Sequence, residues 1–145
     1  METFEARSAL DAKHLAEAQM AKAATCPPWR HALFGLMMGG LVASPAFETT
    51  IRFAILAVLL CLIPMIIHSD RKRMGMFING YRRGKTRIVA IGVLIVELSL
   101  YAVSVVRGFD HHDHVTPLLL GIAGVLIGTI GSVIWQRVFV REMGA

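Results

Sequence analysis

Residues 88–106 read IVAIGVLIVELSLYAVSVV, an apolar run long enough to cross a ~30 Å hydrocarbon layer as one helix. A single acid, Glu97, interrupts it. Working outward, comparable runs lie at about 31–47, 51–68 and 118–136. Backbone in lipid must bond to itself, so each is read as a transmembrane helix. The fold class expected is all-α: a polytopic membrane protein, a four-transmembrane-helix bundle with a short N-terminal cytoplasmic helix. The domain division follows, with residues 1–27 as that helix and 28–145 as the membrane domain, which includes a basic cytoplasmic loop at 69–87.

Composition agrees. Of 145 residues, 55% are hydrophobic and 17% charged, and the mean hydropathy is +0.60. Two cysteines exclude a disulfide-stapled scaffold, and four apolar runs leave no stretch for a separate soluble catalytic domain. The first 25 residues carry charges of both signs instead of a basic cap followed by an apolar stretch, so no export cleavage is expected.

Lysine and arginine fix the expected orientation. Arg7, Lys13, Lys22 and Arg30 precede the first run, Arg71, Lys72, Arg73, Arg82, Arg83, Lys85 and Arg87 lie between the second and third, and Arg137 and Arg141 follow the fourth. That puts 13 of 15 basic residues on one side, against Arg52 and Arg107 on the other. Both termini and the middle loop are therefore expected in the cytoplasm, with the protein multi-pass in a cell's inner (plasma) membrane and Trp29 and Trp135 at the inner interface. The net charge of +5 reflects this topology and not a nucleic-acid partner.

The inner loop sets those seven cations around an Asn79-Gly80 dipeptide that suggests a tight hairpin. Clustered Arg71, Lys72, Arg73, Arg82, Arg83, Lys85 and Arg87 are the expected contacts for anionic lipid headgroups or phosphate. GYRRGKT fails as a phosphate loop, because its first glycine is too near the Gly-Lys-Thr. At the outer side the first two runs are joined by a very short turn and should be antiparallel neighbours. Thr49 or Thr50 is expected to cap the second helix, and Glu48 to pair with Arg52.

Small residues mark the packing faces. Gly121, Gly124, Gly128 and Gly131 recur along the fourth run, and Gly35 and Gly39 form a second GxxxG in the first. Ala54, Ala57 and Cys61 make a milder small face on the second run. These faces either close the bundle or join two copies.

Glu97 lies nine residues into its run, near mid-bilayer, with Tyr101 and Ser104 on the same helix face. An ionised carboxylate there costs at least ~2.5 kcal/mol on insertion scales, so it must be neutral, partnered or facing water. In an antiparallel third and fourth pair its level matches about residue 127, and Thr129 is the expected hydrogen-bond partner. Glu97, Tyr101, Ser104 and Thr129 are therefore the candidate proton- or cation-binding group. Size, four spans and a membrane-embedded glutamate resemble the small multidrug-resistance transporters in architecture. In that family the glutamate is in the first helix, and the first run here has no acid, so no residue role is carried over.

RGFDHHDHVTP, between the third and fourth runs, clusters metal-ligand side chains. Asp110, His111 and His114 could hold zinc or nickel, with Glu48 as a further ligand, whereas the plainer reading is a solvated loop with Thr116 capping the next helix. His31 and His68 fall at the inner boundary, and Met37, Met38 and Met65 are read as packing residues. No resident cofactor is expected. No Ser, Cys or His arrangement supports nucleophilic catalysis and HExxH is absent, so the chain is not expected to be an enzyme. The functional expectation is a small accessory or regulatory membrane protein. It would engage a membrane-protein partner, or a second copy, through glycine-lined helices, the N-terminal helix or the basic loop. The alternative is a small oligomeric transporter or channel using Glu97.

Overall fold

The computed structural model describes residues 2–23, 25–74, 84–109 and 113–142. They form five α-helices and one 3-10 turn, and the ordered elements among the described residues are all helical. Helix α1, Glu2–Ala23, is alanine-rich, touches α5 (Val115–Glu142), and exposes its described side chains.

Helix α2 runs Pro28–Ala43. Pro27 is extended (φ −66°, ψ 150°) and Pro28 takes the first helical turn, where a missing N–H is harmless. At the other end Pro45 cannot continue the ladder, and the chain tightens into a 3-10 turn, Ser44–Ala46. The Ser44 hydroxyl there donates to the Leu41 carbonyl at 2.7 Å.

Helices α3 (Thr49–Met74) and α4 (Lys85–Phe109) complete the set with α5. Among the described residues three segments are long and apolar enough to cross a membrane: Thr49–Lys72, Lys85–Phe109 and Val115–Glu142. Four were expected. The first run falls short because its prolines confine α2 to 16 residues, a rise of about 24 Å. The other helices outrun their apolar cores, most of all at the Arg30 end, where the lysines and arginines at the end of α3, the start of α4 and the end of α5 are good helix formers and lengthen a helix once its core has nucleated it.

Helix α5 is the hub. α2 packs along most of it, α4 packs on it less extensively, and α3 meets α2 and the 3-10 turn at few places. Glycine decides this ranking. A Cβ on Gly35 would meet Thr129 Oγ1 and the Val125 carbonyl, and one on Gly39 would meet Val125 and the Gly121 carbonyl. On the opposite side, a Cβ on Gly128 would lie 3.1 Å from Gly35 Cα, and one on Gly121 2.6 Å from Ala43 Cβ. The two backbones touch where no side chain would fit, the close approach that drives helix association in lipid. Gly131 meets Val93 of α4 in the same way. On α3, by contrast, Ala54, Ala57 and Cys61 are exposed. The first two runs are antiparallel and in contact, but only sparsely, because α2 offers its glycine face to α5 and not to α3.

Polar ties fasten the two ends of the bundle. At one end the starts of α2 and α4 meet the ends of α3 and α5. Arg30 Nε donates to Asp70 Oδ1 at 2.9 Å, a second bond joins the Arg30 guanidinium to Oδ2, and Arg30 also reaches Cys26 Sγ at 3.5 Å. The Glu142 carboxylate accepts the Lys85 backbone N–H and so caps α4 from the end of α5. Gly84 makes room for it with φ +142°, a conformation side chains disfavour, and a Cβ there would strike the carboxylate. Trp29 is exposed at this end, and Trp135 stacks on Phe139 with ring centroids 5.4 Å apart.

At the other end His114 Nδ1 donates to the Ala46 carbonyl at 2.8 Å, and Gly108 of α4 lies directly against Pro45. Arg52 sits 4.0 Å over the Phe109 ring and donates to the Phe47 carbonyl at 2.9 Å. This corrects the expected Glu48–Arg52 pair, since the guanidinium is already held by an aromatic face and a carbonyl. The expected threonine cap is also absent: Thr49 is itself helical, and the Glu48 carbonyl accepts the Arg52 N–H at 2.9 Å.

Candidate functional site

The carboxyl of Glu97 is the chemically distinctive group of the bundle. It stands mid-way along α4, only 5% exposed, and neither carboxyl oxygen has a hydrogen-bond partner among the described residues. Glycine again explains the geometry. A Cβ at Gly124 of α5 would lie 3.1 Å from Glu97 Oε2 and 3.2 Å from the Cα of Gly39 on α2. The carboxyl therefore occupies a notch where α2, α4 and α5 come together, beside two residues that have no side chain.

Thr129 is not its partner. The Thr129 hydroxyl donates to the Val125 carbonyl at 2.7 Å within its own helix, on the side that faces Gly35. The notch lies about one turn earlier on α5, at Gly124 instead of about residue 127. The difference comes from the α2–α5 seam, which turns Thr129 toward α2.

Ser104 shares the face of Glu97 two turns on, but its hydroxyl is engaged elsewhere. It donates to the Val42 carbonyl at 2.5 Å, and both residues are fully buried. Tyr101 is half-buried between them. The expected quartet is thus divided, with Glu97 alone in the notch, Ser104 tying α4 to α2, and Thr129 satisfied inside α5. An open groove of about 260 Å³ runs along α4 at Ala102, Val103, Val106 and Arg107, and Glu97 does not line it.

A second polar cluster lies toward the Arg30 end. His31 is buried in the α2–α5 seam with Nδ1 2.8 Å from Ser132 Oγ, whereas His68 is exposed on α3, so the two histidines belong to different surroundings. Thr86 Oγ1 and Gln136 Oε1 are buried there without hydrogen-bond partners among the described residues. The positions of Ser132 and Gln136 on one face of α5 were visible in the sequence. Their pairing with α2 was not, because it follows from a glycine seam between helices distant in the chain.

The outer loop performs a structural task where its residues are described. The Asp113 carboxylate accepts the N–H groups of Val115 and Thr116 at 3.0 and 3.1 Å, and the Thr116 hydroxyl donates to its other oxygen. Asp113, not Thr116, caps α5, because a carboxylate can accept all three bonds at the positive end of the helix. The same bonds hold its carboxyl below the usual carboxylate range, the Thr116 hydroxyl contributing most. His114 is the strut to Ala46 described above, while Asp110 and His111 lie outside the described residues. No group of three metal-ligating side chains occurs among the described residues.

Of the basic set, Arg71, Lys72, Lys85 and Arg87 are exposed at the Arg30 end, joined there by Arg137 and Arg141 of α5. Nothing of the side chain of Arg73 is described, and Arg82, Arg83 and the Asn79-Gly80 turn lie outside the described residues. Of the acids at this end, Asp70 is buried against Arg30, only 3% exposed, while the exposed Glu142 caps α4. Comparison with protein-family models, curated proteins and solved structures finds no match.

Proposed function

We propose that the chain is a small multi-pass plasma-membrane protein that acts without catalysis, as an accessory or regulatory subunit of a membrane-embedded partner. The observation that carries this reading is the state of α3. Its apolar length is fastened to the rest by polar ties at its two ends, through Asp70 and Arg52, while Phe53, Leu60 and Met65 between them are about two-thirds exposed. Such a helix offers a partner helix exposed apolar side chains without disturbing the α2–α4–α5 core.

In this reading α2 and its 3-10 turn make a fourth crossing, since the turn adds about 6 Å to the helix's own rise. The basic end faces the cytoplasm, with Arg71, Lys72, Lys85 and Arg87 against anionic headgroups. In mild detergent the protein should co-purify with one partner chain in fixed ratio, and Leu60→Lys should release it. A monomer in both cases would sink the accessory reading, and labelling of Lys85 by an impermeant reagent added outside would sink the orientation.

One observation favours a second reading, a small transporter or channel: Glu97, whose carboxyl has no partner among the described residues. Proton-linked flux in vesicles, lost in Glu97→Gln at unchanged expression, would support it, and no flux in the parent would remove it.

A further inference from the structure

The surroundings of Glu97 allow it one kind of ligand. From Ala32 to Ala43, α2 carries no titratable side chain, and α5 carries none from Val115 to Trp135. On α4 between Ile88 and Val106 the only other titratable group is Tyr101, and between Phe53 and Ile67 of α3 the only one is Cys61, which is exposed. The nearest cations on its own helix, Arg87 and Arg107, are ten residues away in either direction, about 15 Å of helix. His31 and Arg30 are at the far start of α2, bonded to Ser132 and Asp70.

No counter-ion among the described residues therefore reaches the carboxyl. No hydroxyl or amide donates to it among the described residues, and the walls are backbone at Gly39 and Gly124. A metal or ammonium ion would need several oxygen ligands, and the helix carbonyls around the notch are committed to their own ladders. A proton needs only the carboxyl itself. The neutral acid is the form this closed notch can host, because an unpaired carboxylate in apolar surroundings costs several kcal/mol.

We propose that Glu97 is a proton-binding site that controls the α2–α5 seam. With the proton bound, the notch is shut and the glycine backbones touch. Breaking the carboxyl O–H bond and passing the proton to water leaves a carboxylate that must be hydrated, so Gly39 and Gly124 part and water enters. This deepens the transport reading by naming the ion and the moving seam. Its test reads protonation and backbone exposure instead of flux, so an absence of flux would remove the transport reading and leave this one standing.

The experiment uses the full chain in phosphatidylcholine vesicles across a pH series, as the parent and as E97Q, whose amide is isosteric with the neutral acid. The infrared carbonyl stretch of a neutral carboxylic acid should be present at neutral pH in the parent and absent in E97Q. As that band disappears in alkali, amide exchange around Gly39 and Gly124 should rise about tenfold in the parent relative to E97Q at the same pH. Dicyclohexylcarbodiimide, which attacks neutral carboxyls in apolar surroundings, should modify Glu97 at neutral pH, giving a readout on the parent alone should E97Q fail to fold. An ionised carboxylate at neutral pH, no carbodiimide adduct, or a titration that leaves exchange unchanged would overturn the proposal.

Discussion

The Ser104 hydroxyl donates to the Val42 carbonyl at 2.5 Å, so a carbonyl near the end of α2 is satisfied by α4 and not by its own helix. Both residues are fully buried, so neither water nor lipid can replace the bond. Ser104→Ala is expected to leave the carbonyl unpaired and to cost about 1–3 kcal/mol. Equilibrium unfolding in mixed micelles would read the loss, and an unchanged midpoint would show that the bond contributes nothing net.

Two glycines should respond to alanine with opposite signs. A Cβ at Gly39 would run into Val125 and the Gly121 carbonyl, whereas one at Gly92 meets nothing within 4 Å. Gly39→Ala should force the α2–α5 backbones apart and destabilise by about 1–3 kcal/mol. Gly92→Ala should be neutral or stabilise by up to about 1 kcal/mol through helix propensity. The comparison fails if both variants unfold alike.

The Arg30–Asp70 pair is unequal, with side-chain exposures of 25% and 5%. Arg30→Ala abandons a buried carboxylate, while Asp70→Ala leaves a guanidinium that can turn outward to solvent. Removing Arg30 should therefore cost more, about 2–4 kcal/mol after allowing for its partial exposure. The double variant should be milder than Arg30→Ala alone. Proteolysis near the end of α3 would report the same ranking, and equal effects would count against it.

Acid should loosen the start of α5 first. The Asp113 carboxyl is held below its ordinary value near 3.8, so its contribution is fully present above that pH and is lost as pH falls through the lowered value. Protection of the Val115 and Thr116 amides, measured against their intrinsic exchange at each pH, is expected to fall across that acid range in the parent and to be flat in Asp113→Asn.

The helical class and the position of Glu97 could be read directly, because apolar runs and an isolated acid are local signals. The glycines that set the α2–α5 seam could be named as small-residue faces, yet their partners could not, since which face meets which depends on close approach between residues about ninety positions apart. That choice moved the carboxyl's neighbour from Thr129 to Gly124. Side chains with several competing acceptors were the least legible. Arg52 had Glu48 close in sequence but reached Phe109, and the cap of α5 passed from Thr116 to Asp113 because a carboxylate accepts more bonds than a hydroxyl.

The cap that Glu142 places on Lys85 makes the tail of the last helix a working part of another one. A purification handle spliced on ahead of that glutamate, or a truncation that trims it away, would unbutton the start of α4 while leaving all the apolar runs in place. Fusions to this protein therefore belong downstream of Glu142, with that side chain intact.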